Sequence, residues 1–87
     1  MIEELQIRNI ALKILTFAYK NMQSDLSINK LDCTFLKLSQ DDYTIIQKYL
    51  AGKNYIKTQS FYCNQLSFTL TVEGIDWVEE NNNIHLG

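Results

Sequence analysis

The stretch Ser39-Gln40-Asp41-Asp42-Tyr43-Thr44-Ile45-Ile46-Gln47-Lys48-Tyr49-Leu50-Ala51-Gly52-Lys53-Asn54-Tyr55-Ile56 decides how this chain folds. Tyr43, Ile46 and Leu50 recur at helical spacing, so one face of a helix is apolar and turns inward. Ser39 stands where its hydroxyl can accept from a free amide of the first turn, and Asp42 three residues on makes a near capping box. Asp41 and Asp42 also set negative charge against the positive end of the helix. Gly52-Lys53-Asn54 closes the run, and Asn54 suits the left-handed position just past the helix end, because asparagine tolerates positive φ better than most residues. The segments that follow, Tyr55 to Tyr62 and Gln65 to Thr71, are rich in Tyr, Phe, Ile and Thr. They read as two strands of a hairpin with Cys63-Asn64 as the turn.

On the N-terminal side, residues from about Ile2 to Met22 predict a first helix. Ile7, Ile10, Ala11, Ile14, Phe17 and Ala18 form one buried stripe, and Leu12, Leu15 and Tyr19 a second beside it. So wide an apolar arc places the helix centrally in the core, or offers Leu12, Leu15 and Tyr19 to a second subunit. Gln23-Ser24-Asp25 is a polar loop, and Ile28 to Leu31 a short strand able to pair with the hairpin. Asp32 is expected to cap a short helix through Leu36. Beyond the hairpin, Thr71 caps a last helix whose Ile75 and Val78 face inward, and Asn81-Asn82-Asn83 ends it. The organisation is therefore one domain over residues 1–82 with a frayed tail, 83–87.

Composition bounds what such a domain can do. The chain has 87 residues, 46% hydrophobic and 21% charged, enough for a single core. A domain of this size buries only about two thirds of its unfolded surface, so dimerisation would usefully cover apolar area. There is no proline, which argues against a Pro-rich linker or recognition motif. The net charge is −2 and the pI about 5.2, whereas nucleic-acid-binding domains more often carry a basic excess. The acids and bases are unevenly spread: residues 30–70 hold five lysines against three aspartates, and 71–87 hold four acids and no lysine or arginine. Local positive charge, where the third helix and hairpin lie, matters more for phosphate contact than the total.

Cys33 and Cys63 belong to no CxxC pair and the single histidine, His85, lies in the tail, so no metal site and no cofactor is expected. The cysteines read as reduced thiols of a cytoplasmic protein. The acidic start Met1-Ile2-Glu3-Glu4, followed by a pattern interrupted by Arg8, Lys13 and Lys20, fits neither a signal peptide nor a membrane span. No serine or cysteine is set beside a histidine base and no glycine-rich phosphate loop exists, so an enzyme is not expected.

The order helix, strand, short helix, capped helix, hairpin, helix resembles the winged-helix superfamily, an α+β winged helix-turn-helix in which a three-helix core carries a β-hairpin wing. Within it the chain resembles the small YjcQ-like proteins of bacteria and phages. The carrying residues are Leu31 to Ser39, then Gln40-Asp41-Asp42-Tyr43 with Ile46, Tyr49, Leu50 and Tyr55-Ile56, and finally Leu70-Thr71-Val72-Glu73-Gly74-Ile75, roughly half the chain. Lys37 and Asn54 stand at turn positions where such proteins usually carry glycine. The resemblance implies a DNA-binding type of fold, often found in phage-related transcriptional regulators.

Two functional readings follow. For double-stranded DNA, Thr44, Gln47 and Lys48 would face the major groove, Gln47 reading adenine and Lys48 meeting guanine or phosphate, while Lys53 and Lys57 at the base of the wing, with Lys37, contact the backbone. Asp41 and Asp42 on the same helix would repel phosphate, and surface lysines are ordinarily just solvated. The alternative is a protein-interaction or dimerisation module with Ile45, Tyr49 and Trp77 as anchors. Each of these three has a plainer role in the core of the domain. Exposure discriminates: a continuous lysine strip from helix to wing favours DNA, and accessible Ile45 and Tyr49 beside neutral or acidic surface favour a protein.

Overall fold

A computed structural model describes residues 3–22, 24–62 and 65–82, the side chains of 29, 30 and 58–62 excepted. The described elements are α1 (Glu4–Asn21), β1 (Ser27–Leu31), a 3-10 turn (Thr34–Leu36), α2 (Gln40–Gly52), β2 (Ile56–Tyr62), β3 (Gln65–Leu70) and α3 (Val72–Asn82). The class is α+β: three helices and a three-stranded antiparallel sheet of order β1-β3-β2, compatible with the expected winged-helix arrangement. No helix among the described residues is long and apolar enough to cross a membrane.

Local chemistry sets most boundaries. Glu3 N–H donates to Gln6 Oε1 at 3.1 Å and opens α1. The Ser39 hydroxyl accepts from Asp42 N–H at 3.2 Å, the cap expected at the start of α2. Asn54 has φ 63°, which ends that helix in the left-handed conformation. Thr71 Oγ1 accepts from Gly74 N–H at 3.0 Å and donates to the Asn54 carbonyl at 2.6 Å, while its own amide donates to the Tyr55 carbonyl at 3.1 Å. One residue thus caps α3 and ties it to the start of β2.

The short second helix differs from expectation. It is a single 3-10 turn with Cys33, not Asp32, at its N-cap; Asp32 Oδ1 instead accepts from the Thr34 amide at 2.9 Å and hydroxyl at 2.8 Å. Lys37 stops it after one turn by taking φ 54°. That left-handed residue is the turn position where glycine was expected.

β3 is the central strand, and its alternation puts Leu66, Phe68 and Leu70 inward. They meet Ile28 and Leu31 of β1, Ile56 of β2, Ala11, Ile14, Leu15 and Ala18 of α1, Tyr43, Ile46 and Leu50 of α2, and Val78 of α3 in one cluster. Complete burial of each Leu, Ile or Phe is worth about 1.5–3 kcal/mol, so this cluster dominates stability. Tyr43 is wholly buried and its hydroxyl donates to the Cys33 carbonyl at 3.0 Å, fastening α2 to the turn before it. Ile75 packs half-buried against the cluster.

In α1 the two predicted stripes exchange members. Phe17, Ile7 and Ile10 of the first are only half-buried, whereas Leu15 of the second is completely buried. Tyr19 of the second donates its hydroxyl to Glu79 of α3 at 2.9 Å. The second stripe packs largely within the chain because α3 lies along it, and Leu12 and Tyr19 each keep an outward part. The Cys63-Asn64 turn and residues 83–87 lie outside the described residues.

Candidate partner-binding groove

The outer face of α2 does not carry a lysine strip. Lys48 is exposed, but the helical period places Asp41 only about 20° from it around the axis, two turns nearer the N-terminus. Lys53 lies about 140° away from Lys48 by the same geometry, and its ammonium sits 5.8 Å above the Tyr49 ring. Lys57 is on the far side of the Asn54 turn, in a cleft it shares with Asn54 and Glu73. Thr44 is half-buried, its hydroxyl donating to the Gln40 carbonyl at 3.0 Å, and Gln47 is half-buried as well. Thr44, Gln47 and Lys48 therefore share one face of α2 by helical spacing, while Lys53 and Lys57 lie away from it, so the three lysines do not form one strip.

The three apolar candidates separate too. Ile45 is half-buried at the acidic end of α2, where it shares a hollow with Asp41, Asp42 and Thr44. Tyr49 and Trp77 come together at the opposite end. They line an open groove of about 570 Å³ with Glu4, Leu5 and Arg8 of α1, Lys53, and Tyr55 just before β2. Its floor is the pair Tyr55 and Trp77, stacked with ring centroids 4.6 Å apart and planes 14° from parallel. Trp77 is 8% exposed, Tyr49 and Tyr55 are half-buried, and Leu5 is 68% exposed on the lip.

Each wall is placed by a local cause. Tyr49 is one residue short of the inward-facing Leu50, which brings it to the flank of α2 that meets α1. Tyr55 is fixed because its amide donates to the Leu50 carbonyl at 3.0 Å and its carbonyl accepts from Thr71. Trp77 reaches Tyr55 because α3 starts on that same backbone: a Cβ on buried Gly74 would overlap the Tyr55 carbonyl oxygen and stand 3.1 Å from its carbon. Only glycine allows that approach.

Electrostatics in the groove are mixed. Burial, then the neighbouring Tyr49, push the Tyr55 hydroxyl above the usual tyrosine range, with Arg8 opposing. The Tyr55 hydroxyl therefore stays a neutral donor at neutral pH. Two cations and one carboxylate around an aromatic floor are a combination suited to an apolar or aromatic side chain with charged contacts at its margin.

Leu5, Arg8 and Tyr55 were not singled out by sequence reasoning. Leu5 had one usable signal: seven residues before Leu12, it continues the second stripe of its helix. Cys33 is completely buried, and burial with the adjacent Asp32 charge pushes its thiol up to about 11. Among the described residues no group of three or more His, Cys, Asp and Glu side chains is placed to hold a metal ion. No family model, curated protein or solved structure matches the chain.

Proposed function

We propose that this chain is a winged-helix-type domain working as a protein-interaction module, with its partner seated in the groove between the N-terminus of α1, the C-terminal end of α2 and α3. The observation that carries this reading is convergence: Tyr49 and Trp77 share one concave, aromatic-floored groove with exposed Leu5, whereas Lys48, Lys53 and Lys57 point to separate sides. Tyr49 forms the wall, Trp77 and Tyr55 the floor, and Arg8 and Lys53 the charged margin. Aromatic anchors in a partly desolvated pocket are where binding energy concentrates at interfaces. Affinity capture from the source cell's extract tests it, with wild type compared against Tyr49→Ala and Leu5→Ala. A partner held by wild type and lost from both variants supports the groove; a partner retained equally by both removes it.

A second reading, double-stranded DNA binding by a phage- or mobile-element-related regulator, is favoured by one specific observation. The Ser39-capped α2 precedes a hairpin in a β1-β3-β2 sheet, and Lys48 points outward from it. Fluorescence anisotropy against mixed-sequence duplex DNA, titrated from low to physiological salt, separates the two. The interaction reading expects no binding even at low salt. Affinity falling steeply with salt, and abolished by Lys48→Glu, Lys53→Glu and Lys57→Glu together, would replace it with the DNA reading.

A further inference from the structure

A second groove lies further along α1, between its C-terminal half, the 3-10 turn and the end of α3. It encloses about 330 Å³ and is mostly apolar, with Leu12, Phe17 and Phe35 as its surface and Lys13 and Lys20 among its lining residues. No acid lines it. Phe35 is 59% exposed although it is one of the largest apolar side chains in the domain. Its ring meets Phe17 edge-on, centroids 5.5 Å apart at 86°. The turn that carries it is braced at both ends, by the Asp32 carboxylate on Thr34 and by left-handed Lys37, whose amide donates to the Thr34 carbonyl at 3.1 Å. Phe35 is thus held outward by a structured turn.

We propose that this groove takes an acidic amphipathic helix of another protein. Lys13 and Lys20 are two helical turns apart on the same side of α1, about 10.5 Å along the axis, with Thr16 and Phe17 between them. A helix lying alongside α1 repeats that spacing in its own side chains. Carboxylates seven residues apart meet the two lysines while the apolar residues between them cover Phe17 and Phe35. The chain's own acidic helix does not supply such a ligand to a second copy. α3 buries Trp77 and Val78 in its own core, and its exposed residues Glu73, Asp76 and Glu80 are accompanied by a single exposed large apolar side chain, Val72. The occupant we assign is a different chain, with two carboxylates seven residues apart and apolar residues between them on the same face. This site is independent of the groove around Tyr49.

The test uses a fluorescein-labelled helical peptide of about sixteen residues, with glutamates seven apart and leucines between them. Anisotropy titration of the full chain should give saturable binding. Phe35→Ala, and separately Lys13→Glu with Lys20→Glu, should each weaken it about tenfold or more, and Tyr49→Ala should not. The charge-reversed protein should in turn bind the same peptide with lysines in place of its glutamates, a gain that a misfolded variant does not show. The proposal is overturned by no binding up to about 1 mM peptide, the edge of measurable affinity, or by binding indifferent to both changes. It is equally overturned by a homodimer in sedimentation equilibrium that dissociates in Phe35→Ala, which assigns the groove to a second copy, or by duplex DNA binding that depends on Lys13 and Lys20 while the peptide does not bind.

Discussion

Replacing Gly74 by alanine tests whether the start of α3 is set by backbone contact. Gly74 is buried in the first turn of α3, and an added Cβ would overlap the Tyr55 carbonyl oxygen, with the Tyr55 carbonyl carbon at 3.1 Å and Cα at 3.3 Å. The obstacle is main chain, and it is pinned. Tyr55 N–H is bonded to the Leu50 carbonyl, and the Tyr55 carbonyl accepts from Thr71 N–H. Relief therefore requires α3 to move away from β2. Overpacking of this kind costs about 1–3 kcal/mol, and losing the Thr71 to Tyr55 bond about 1 kcal/mol more. Alanine returns about 1 kcal/mol in helix propensity. The net expectation is a loss of about 2 kcal/mol, which lowers Tm by roughly 10 °C in a domain of this size. Urea unfolding followed by the fluorescence of the single Trp77 measures it, and the native emission should shift as the Tyr55 stack is disturbed. Gly52→Ala is the paired control: it is also helical, its Cβ would meet nothing within 4 Å, and it should be neutral or stabilise by up to about 1 kcal/mol. If Gly74→Ala is as stable as wild type, the close approach of α3 to Tyr55 is wrong, and with it the floor of the aromatic groove.

Three further outcomes are expected. Lys37→Gly should raise stability by about 1 kcal/mol, because Lys37 holds φ 54° and glycine adopts that region without the Cβ penalty; an unchanged or lower urea midpoint would contradict the strained turn. Asp25 and Asp32 both have depressed carboxyl pKa values, from hydrogen bonds donated by Ser27 and Thr34 respectively. The unfolded chain therefore binds more protons in acid, so their stabilisation is present above about pH 4 and fades as pH falls through the lower native values; Asp25→Asn with Asp32→Asn should flatten the acid limb of a urea-midpoint profile, and an unaltered limb would exclude these bonds as its cause. Finally, in a Cys63→Ser background, the completely buried Cys33 with its thiol pushed up to about 11 should resist a thiol-disulfide reagent at pH 8 and react fully in urea; rapid labelling of the native protein would show that the site opens.

What the sequence disclosed divides along the range of the physics involved. Ser39, Asn54 and Thr71 act within a few residues of themselves, as caps or left-handed closures, so their roles could be read from the chain and each is found where expected. The inward set Tyr43, Ile46 and Leu50 was equally legible because helical spacing alone selects it. Leu15 and Phe17 exchanged burial because the direction from which α3 and the 3-10 turn approach α1 is not written in α1 itself. The aromatic groove was illegible for the same reason: Leu5, Tyr49, Tyr55 and Trp77 come from four elements and meet only through α3's seat on Tyr55. Asp32 misled by one position, since an aspartate bonding to an amide two residues ahead resembles a helix cap in sequence whether or not a helix follows.

The placement of β3 between β1 and β2 bears on the order in which this domain assembles. Pairing β2 with β3 closes a short hairpin, but pairing β1 with β3 brings together Ser27 and Thr69, about forty residues apart, at a greater loss of chain entropy. On this ground the capped α2 and its hairpin are expected to form first, with the N-terminal third of the chain recruited later. Helix α1 supplies one side of both grooves, so until that recruitment neither has both walls. Binding at either groove, as proposed above, would therefore report on completed folding.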